Sequence, residues 1–191
     1  GVPRILALEA EDPSGRARVN GRFEGGGSPI DPVSVLMQLD GVDIRPVLTR
    51  DGAYWQAPDA LENGDHIVSL KVRNIAGRTS GEATTSLRVA LPAATVSLEA
   101  ALPGPPGDSP LPVIARVLDG RGRPVADGTR VVFDTTAGEL VQTEGLTIGG
   151  SVTAYLAKVS KSGAVLSARS GKVKARLAIT GRGKLLRRKI A

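Results

Sequence analysis

Apolar and polar residues alternate along most of the chain in short runs, and each run ends on Gly, Asp, Asn or Pro. His66, Val68, Leu70 and Val72 alternate with Ile67, Ser69, Lys71 and Arg73; Val173, Ala175, Leu177 and Ile179 alternate with Lys174, Arg176 and Ala178. A period of two sends successive side chains to opposite faces of an extended backbone, so these runs predict strands buried on one side. Nowhere does an apolar 3.6-residue period persist for three turns. The pattern predicts an all-β chain with few helices.

Two blocks of this kind follow one another. In the first, strands are expected at Ile5–Ala10, Arg16–Phe23 and Val33–Leu39, the last with Val33, Val35, Met37 and Leu39 on one face. Asp40-Gly41 reads as a two-residue hairpin turn, because glycine adopts positive φ without steric cost. Further turns at Arg50-Asp51-Gly52 and Asn63-Gly64 frame Tyr54-Trp55 and the strand from His66; a last strand buries Thr85, Leu87 and Val89. In the second block the expected strands are Thr95–Ala101, Val113–Leu118, Arg130–Asp134, Ser151–Lys158, Ala164–Arg169 and Lys172–Thr180. Leu102–Pro112 is too rich in proline for a sheet interior and reads as a loop or edge. Domains are therefore expected at 1–90 and 91–180, with 181–191 as a basic tail. The joint, Ala90–Ala94, contains Pro92 and should be semi-rigid, with the domains end to end. The candidate core is Phe23, Val35, Met37, Val68, Leu70 and Leu87 in the first domain, and Val96, Phe133, Leu156, Leu166 and Leu177 in the second.

With 191 residues the chain is long enough for two domains of sandwich size. Its hydrophobic content of 41% supports a core, while only 3% of residues are aromatic, which fits poorly with a carbohydrate cleft lined by rings. The net charge of +6 is unevenly spread: residues 1–90 carry −2, 91–180 carry +3 and the last eleven carry +5. Such a tail suits weak, nonspecific binding of anionic polymers, but a solvated end leading into a further segment accounts for it more simply. There is no cysteine, which excludes disulfides and thiolate chemistry. The longest apolar runs are far too short for a transmembrane helix. The chain opens on Gly, without a signal peptide, and reads as a piece of a longer protein.

The stretch VIARVLDGRGRPVADGTRVVFDTTAGEL contains a strand, a D-x-x-G-x-P-V turn (Asp119, Gly122, Pro124, Val125), a G-x-x-V-x-F strand and a G-x-L bend. With the closing SVTAYLAKVSKSGAVLSARSGKVKARLAI it resembles the invasin/intimin-type bacterial Ig-like domain. The first block is similar to another bacterial Ig-like group through SPIDPVSVLMQLDGVDI and DALENGDHIVSLKVRNIAGRTS, although Asn74 and Arg78 stand where that pattern often has Asp and Asn. The resemblance implies tandem immunoglobulin-like β-sandwiches from a secreted, envelope or surface-anchored bacterial protein.

Candidate chemistry is sparse. His66 is the only histidine, so a dyad would need Ser69 or Asp65, and a triad or zinc site lacks its other members. Asp31, Asp40, Asp43 and Asp65 would make calcium ligands if they converged, although turn formation already explains each of them. Gly25–Gly27 and Gly120–Pro124 look superficially like phosphate loops, but neither is followed by Lys-Ser/Thr at the head of a helix. Tyr54 and Trp55 would offer a sugar platform, yet adjacent strand residues face opposite ways, and one must be core.

No catalytic, cofactor or metal site is therefore assigned, and no cofactor is expected. The reading is a noncatalytic spacer, stalk or adhesion module of a bacterial secreted, cell-surface or periplasmic protein. Its partners would be other domains of a longer chain or another surface protein. The alternatives are an accessory module positioning a larger extracellular enzyme on polysaccharide, and an envelope or nucleic-acid binder acting through the basic tail.

Overall fold

The computed structural model describes residues 1–13, 15–100, 110–159 and 162–179, in two compact units, Gly1–Val89 and Ala90–Ala191. The first unit runs β1 (Arg4–Glu11), β2 (Arg18–Glu24), β3 (Leu36–Leu39), β4 (Val42–Ile44), β5 (Val47–Thr49), β6 (Gly52–Gln56), β7 (Gly64–Lys71) and β8 (Ala83–Val89). These strands form two antiparallel sheets in the orders β1-β2-β6-β5 and β4-β3-β7-β8. Taken in chain order, they follow the A-B-E-D and C′-C-F-G arrangement of an immunoglobulin sandwich.

The alternation of β7 shows why the sheets pack. Val68 and Leu70, with Val72 just beyond the strand, are fully buried, whereas Ile67 beside Val68 is 61% exposed. With Val19, Phe23, Met37 and Ala53 they form the main core, and Ala17, Ala57, Leu87 and Val89 make a second cluster, with Trp55 packed against both. Burying each of the larger side chains is worth about 1.5–3 kcal/mol. The expected core residues are thus buried, except Val35, which is only half-buried at the margin of the cluster.

The expected strand start at Val33 needs correction. Pro32–Ser34 form a short 3-10 turn capped by Asp31, whose carboxylate accepts the Val33 N–H at 3.3 Å, and Val33 is 90% exposed. Pro32 fixes its own φ and Asp31 supplies a cap, so local chemistry favours a turn where the alternation alone suggests a strand. Asp40-Gly41 is the expected hairpin turn: both residues have positive φ, 51° and 79°, and Leu39 pairs with Val42 across it.

The second unit runs β9 (Ala93–Ala100), β10 (Leu111–Asp119), β11 (Arg130–Thr135), β12 (Glu139–Leu140), β13 (Glu144–Leu146), β14 (Ser151–Ala157), β15 (Ala164–Ser170) and β16 (Val173–Ile179). Its sheets are ordered β12-β14-β10-β9 and β13-β11-β15-β16. Val113, Ala115, Val117, Val131, Phe133, Leu156 and Leu166 fill the space between them; Leu177 is 8% exposed, and Val96 is half-buried against the same core. β12 and β13 were not expected, because two or three residues are too few to show alternation. Leu111 and Pro112, expected in a loop or at a sheet edge, belong to β10. Pro112 pairs with Tyr155 of β14 at a level where the β9 ladder has not yet begun, so no N–H is needed on that side. The rest of the proline-rich stretch, at 101–109, and the tail 181–191 lie outside the described residues.

Candidate functional site

His66 sits at the start of β7, facing the β3–β4 turn, with its side chain 13% exposed. Nδ1 lies 2.7 Å from Asp40 Oδ2 and Nε2 lies 2.8 Å from the Glu62 carbonyl oxygen. The carbonyl can only accept, so Nε2 carries hydrogen; a carboxylate at Nδ1 then favours a second proton there. Partial burial works against the charged ring, but the hydrogen bonds to Asp40 and Glu62, with the negative charge nearby, outweigh it and raise His66 above its ordinary value. Burial likewise works against the Asp40 carboxylate, yet the bonds from His66 and the Ile67 N–H hold it below its ordinary value. With both ring nitrogens engaged, the histidine is a clamp between hairpin and strand rather than a poised base. Neither Ser69 nor Asp65 joins it: Ser69 is on the opposite face of β7, and Asp65 pairs with Arg88 at 3.1 Å.

The four aspartates considered as calcium ligands are not brought together. Asp31 binds Arg73 at 2.9 Å, Asp40 binds His66, Asp43 accepts from Gln38 at 2.8 Å and Asp65 binds Arg88. Among the described residues, no three His, Asp or Glu side chains are grouped as metal ligands.

The glycine loops are likewise held by internal bonds. Asn74, 1% exposed, donates from Nδ2 to the carbonyls of Gly1 and Gly25 at 3.1 and 3.0 Å, while its Oδ1 accepts the Arg78 N–H at 3.0 Å. One amide thus ties the first residue, the Gly25–Gly27 loop and the turn after β7 together. An ionised aspartate could donate to neither carbonyl and a protonated one to only one of them, so the two bonds require the amide. In the second unit, Asp119 is 2% exposed and its Oδ1 accepts the N–H groups of Arg121 and Arg123 at 2.8 and 3.0 Å. The D-x-x-G-x-P-V motif is therefore a turn closed by its own aspartate.

Tyr54 and Trp55 face opposite sides of β6, as their adjacency requires. Trp55 packs into the core, while Tyr54 stands in a cross-strand row with Glu9, Asn20 and Val47. An open depression of about 400 Å³ lies there, lined in part by Arg22, Arg50 and Asp51. Its charges are mixed and a single ring serves it, so it assembles no reacting group.

The chain matches no family model and no curated protein. Solved structures similar to it include the D00-D0 domain of intimin, at 11% identity and TM-score 0.44, covering 93% of this chain and 97% of that one. The D0-D1 domain of intimin matches at 16% identity and TM-score 0.35, over 94% and 100%. Dimeric latent PorU from Porphyromonas gingivalis matches at 15% identity and TM-score 0.40, over 93% of this chain and 20% of that one. Both units here are immunoglobulin-like β-sandwiches. Their strand order rests on the hydrogen-bonded ladders themselves. Among the described residues, no helix is long and apolar enough to cross a membrane.

Proposed function

We propose that this chain is a noncatalytic spacer or interaction module of a bacterial secreted or cell-surface protein. The observation that supports this reading is the way its few reactive groups are used. The one histidine has both nitrogens bonded within the fold, and the candidate aspartates each serve a turn or a cross-strand pair. Such groups maintain a scaffold and leave the outer sheet faces for contact with other molecules.

Surface accessibility tests the reading. Antibodies raised against residues 1–179 should label intact bacteria producing the parent protein. Labelling that appears only after lysis would contradict a surface or secreted role, and turnover abolished by His66→Ala would contradict a noncatalytic one.

A further inference from the structure

The outer face of the β15–β16 hairpin carries an uncompensated ladder of positive charge. Arg169 on β15 stands directly opposite Lys174 on β16, Arg176 follows on the same face, and Lys172 occupies the connecting turn. All four are exposed, and among the described residues none is paired with a carboxylate. Elsewhere the ladders put opposite charges across from one another: Arg4 faces Glu24, Glu11 faces Arg18 and Asp65 faces Arg88. Like charges placed directly opposite cost stability in a sheet, and among the described residues no carboxylate is bonded to either member of this pair.

The surrounding sequence sharpens the contrast. No Asp or Glu occurs after Glu144, whereas eleven of the 25 Lys and Arg do. On the same sheet, Glu144 is engaged by Arg130, and Asp134 on β11 stands opposite Ser167, diagonal to Arg169 but with no ion pair to it. The free positive charge is thereby concentrated on the two strands of the hairpin, one of which is the sheet edge.

We propose that this face binds a linear acidic glycan, one bearing carboxylate or phosphate groups along its chain. Lys174 and Arg176 project about 6.7 Å apart along one strand, and Arg169 stands about 5 Å across from Lys174. This makes a short stripe suited to successive anionic groups, and the arginines can grip each group with two N–H donors. Nucleic acid fits less well, because the face offers no aromatic ring for base stacking and no helix for a groove. A lipid surface fits less well too, because the neighbours on this face are Ser167, Ala178 and Val165 rather than large apolar anchors. The choice of glycan rests on the surface-module reading above; the anion-binding face does not.

Three 191-residue proteins decide the matter: the unaltered chain, Arg169→Ser/Lys174→Ser/Arg176→Ser, and a form whose five tail basic residues, 182 to 189, are changed to Ser. Calorimetry at low salt measures binding to polygalacturonate, neutral dextran, duplex DNA and phosphatidylglycerol vesicles. The unaltered chain should prefer polygalacturonate, and the triple variant should bind it at least tenfold more weakly with a melting temperature no lower than that of the unaltered chain, because the like-charge pair is gone. Should the triple variant fail to fold, Lys174→Glu, which sets an opposite charge against Arg169, should weaken binding several-fold. Undiminished binding by the hairpin variants, with loss only in the tail variant, would overturn the face. DNA or vesicles bound as tightly as polygalacturonate would overturn the glycan, whether or not the protein is found on the cell surface.

Discussion

Asn74→Asp is a change of one atom type that should expose the design of the first sandwich. The amide is 1% exposed and makes three side-chain hydrogen bonds, two as donor to the carbonyls of Gly1 and Gly25 and one as acceptor from Arg78. The aspartate keeps the shape and the acceptor but sets a buried oxygen against two carbonyl oxygens. At about 0.5–1.5 kcal/mol for each lost bond, plus burial of an unsatisfied charge, the loss at neutral pH should be about 3–5 kcal/mol. The new carboxyl would escape part of this by holding a proton that can donate to one carbonyl, so its folded pKa rises above the unfolded value. Stability linked to a raised pKa is present below the unfolded value and is lost as pH rises through the folded one. The deficit should therefore shrink to about 1–2 kcal/mol near pH 4. Urea titrations of both proteins at pH 4, 5.5 and 7, followed by Trp55 fluorescence, measure it. In a unit of this size each kcal/mol corresponds to about 4–8 °C in melting temperature. Equal midpoints at pH 7, or a deficit that grows toward acid, would refute the account.

The His66–Asp40 clamp should contribute fully between the ordinary aspartate and histidine values, fading above about pH 6.5 as His66 loses its proton and in acid as Asp40 gains one. His66→Gln should flatten that part of the stability profile, and an unchanged profile would mean the ring is not charged in the folded state. Leu70→Ala and Leu166→Ala, at fully buried positions in the two units, should each cost about 2–5 kcal/mol in denaturant unfolding. Asp119→Ala removes the acceptor for two turn N–H groups and should lower stability by about 1–3 kcal/mol, with faster amide exchange at Arg121 and Arg123 as the local signature.

The period-two pattern by itself determined the fold class, most strands and the faces they bury, because burial on one side of a pleated strand leaves its mark residue by residue. Val68, Leu70 and Leu166 were legible for that reason, and so were the turns at Asp40-Gly41 and Asp119–Val125, whose glycines and aspartates act over a few residues. Tertiary structure decided what depends on partners distant in the chain. His66 meets Asp40 across 26 residues, and Asn74 reaches Gly1 across 73, separations at which no spacing rule operates. The like-charge pair Arg169–Lys174 was present as letters, but only the antiparallel register places the two side chains opposite each other. β12 and β13 were illegible because strands of two or three residues are held by the neighbour they pair with and not by any pattern of their own. Local periodicity sets which face of a strand is apolar, and register sets which polar groups meet on the other face, so the fold could be read along the chain while its surface chemistry could not.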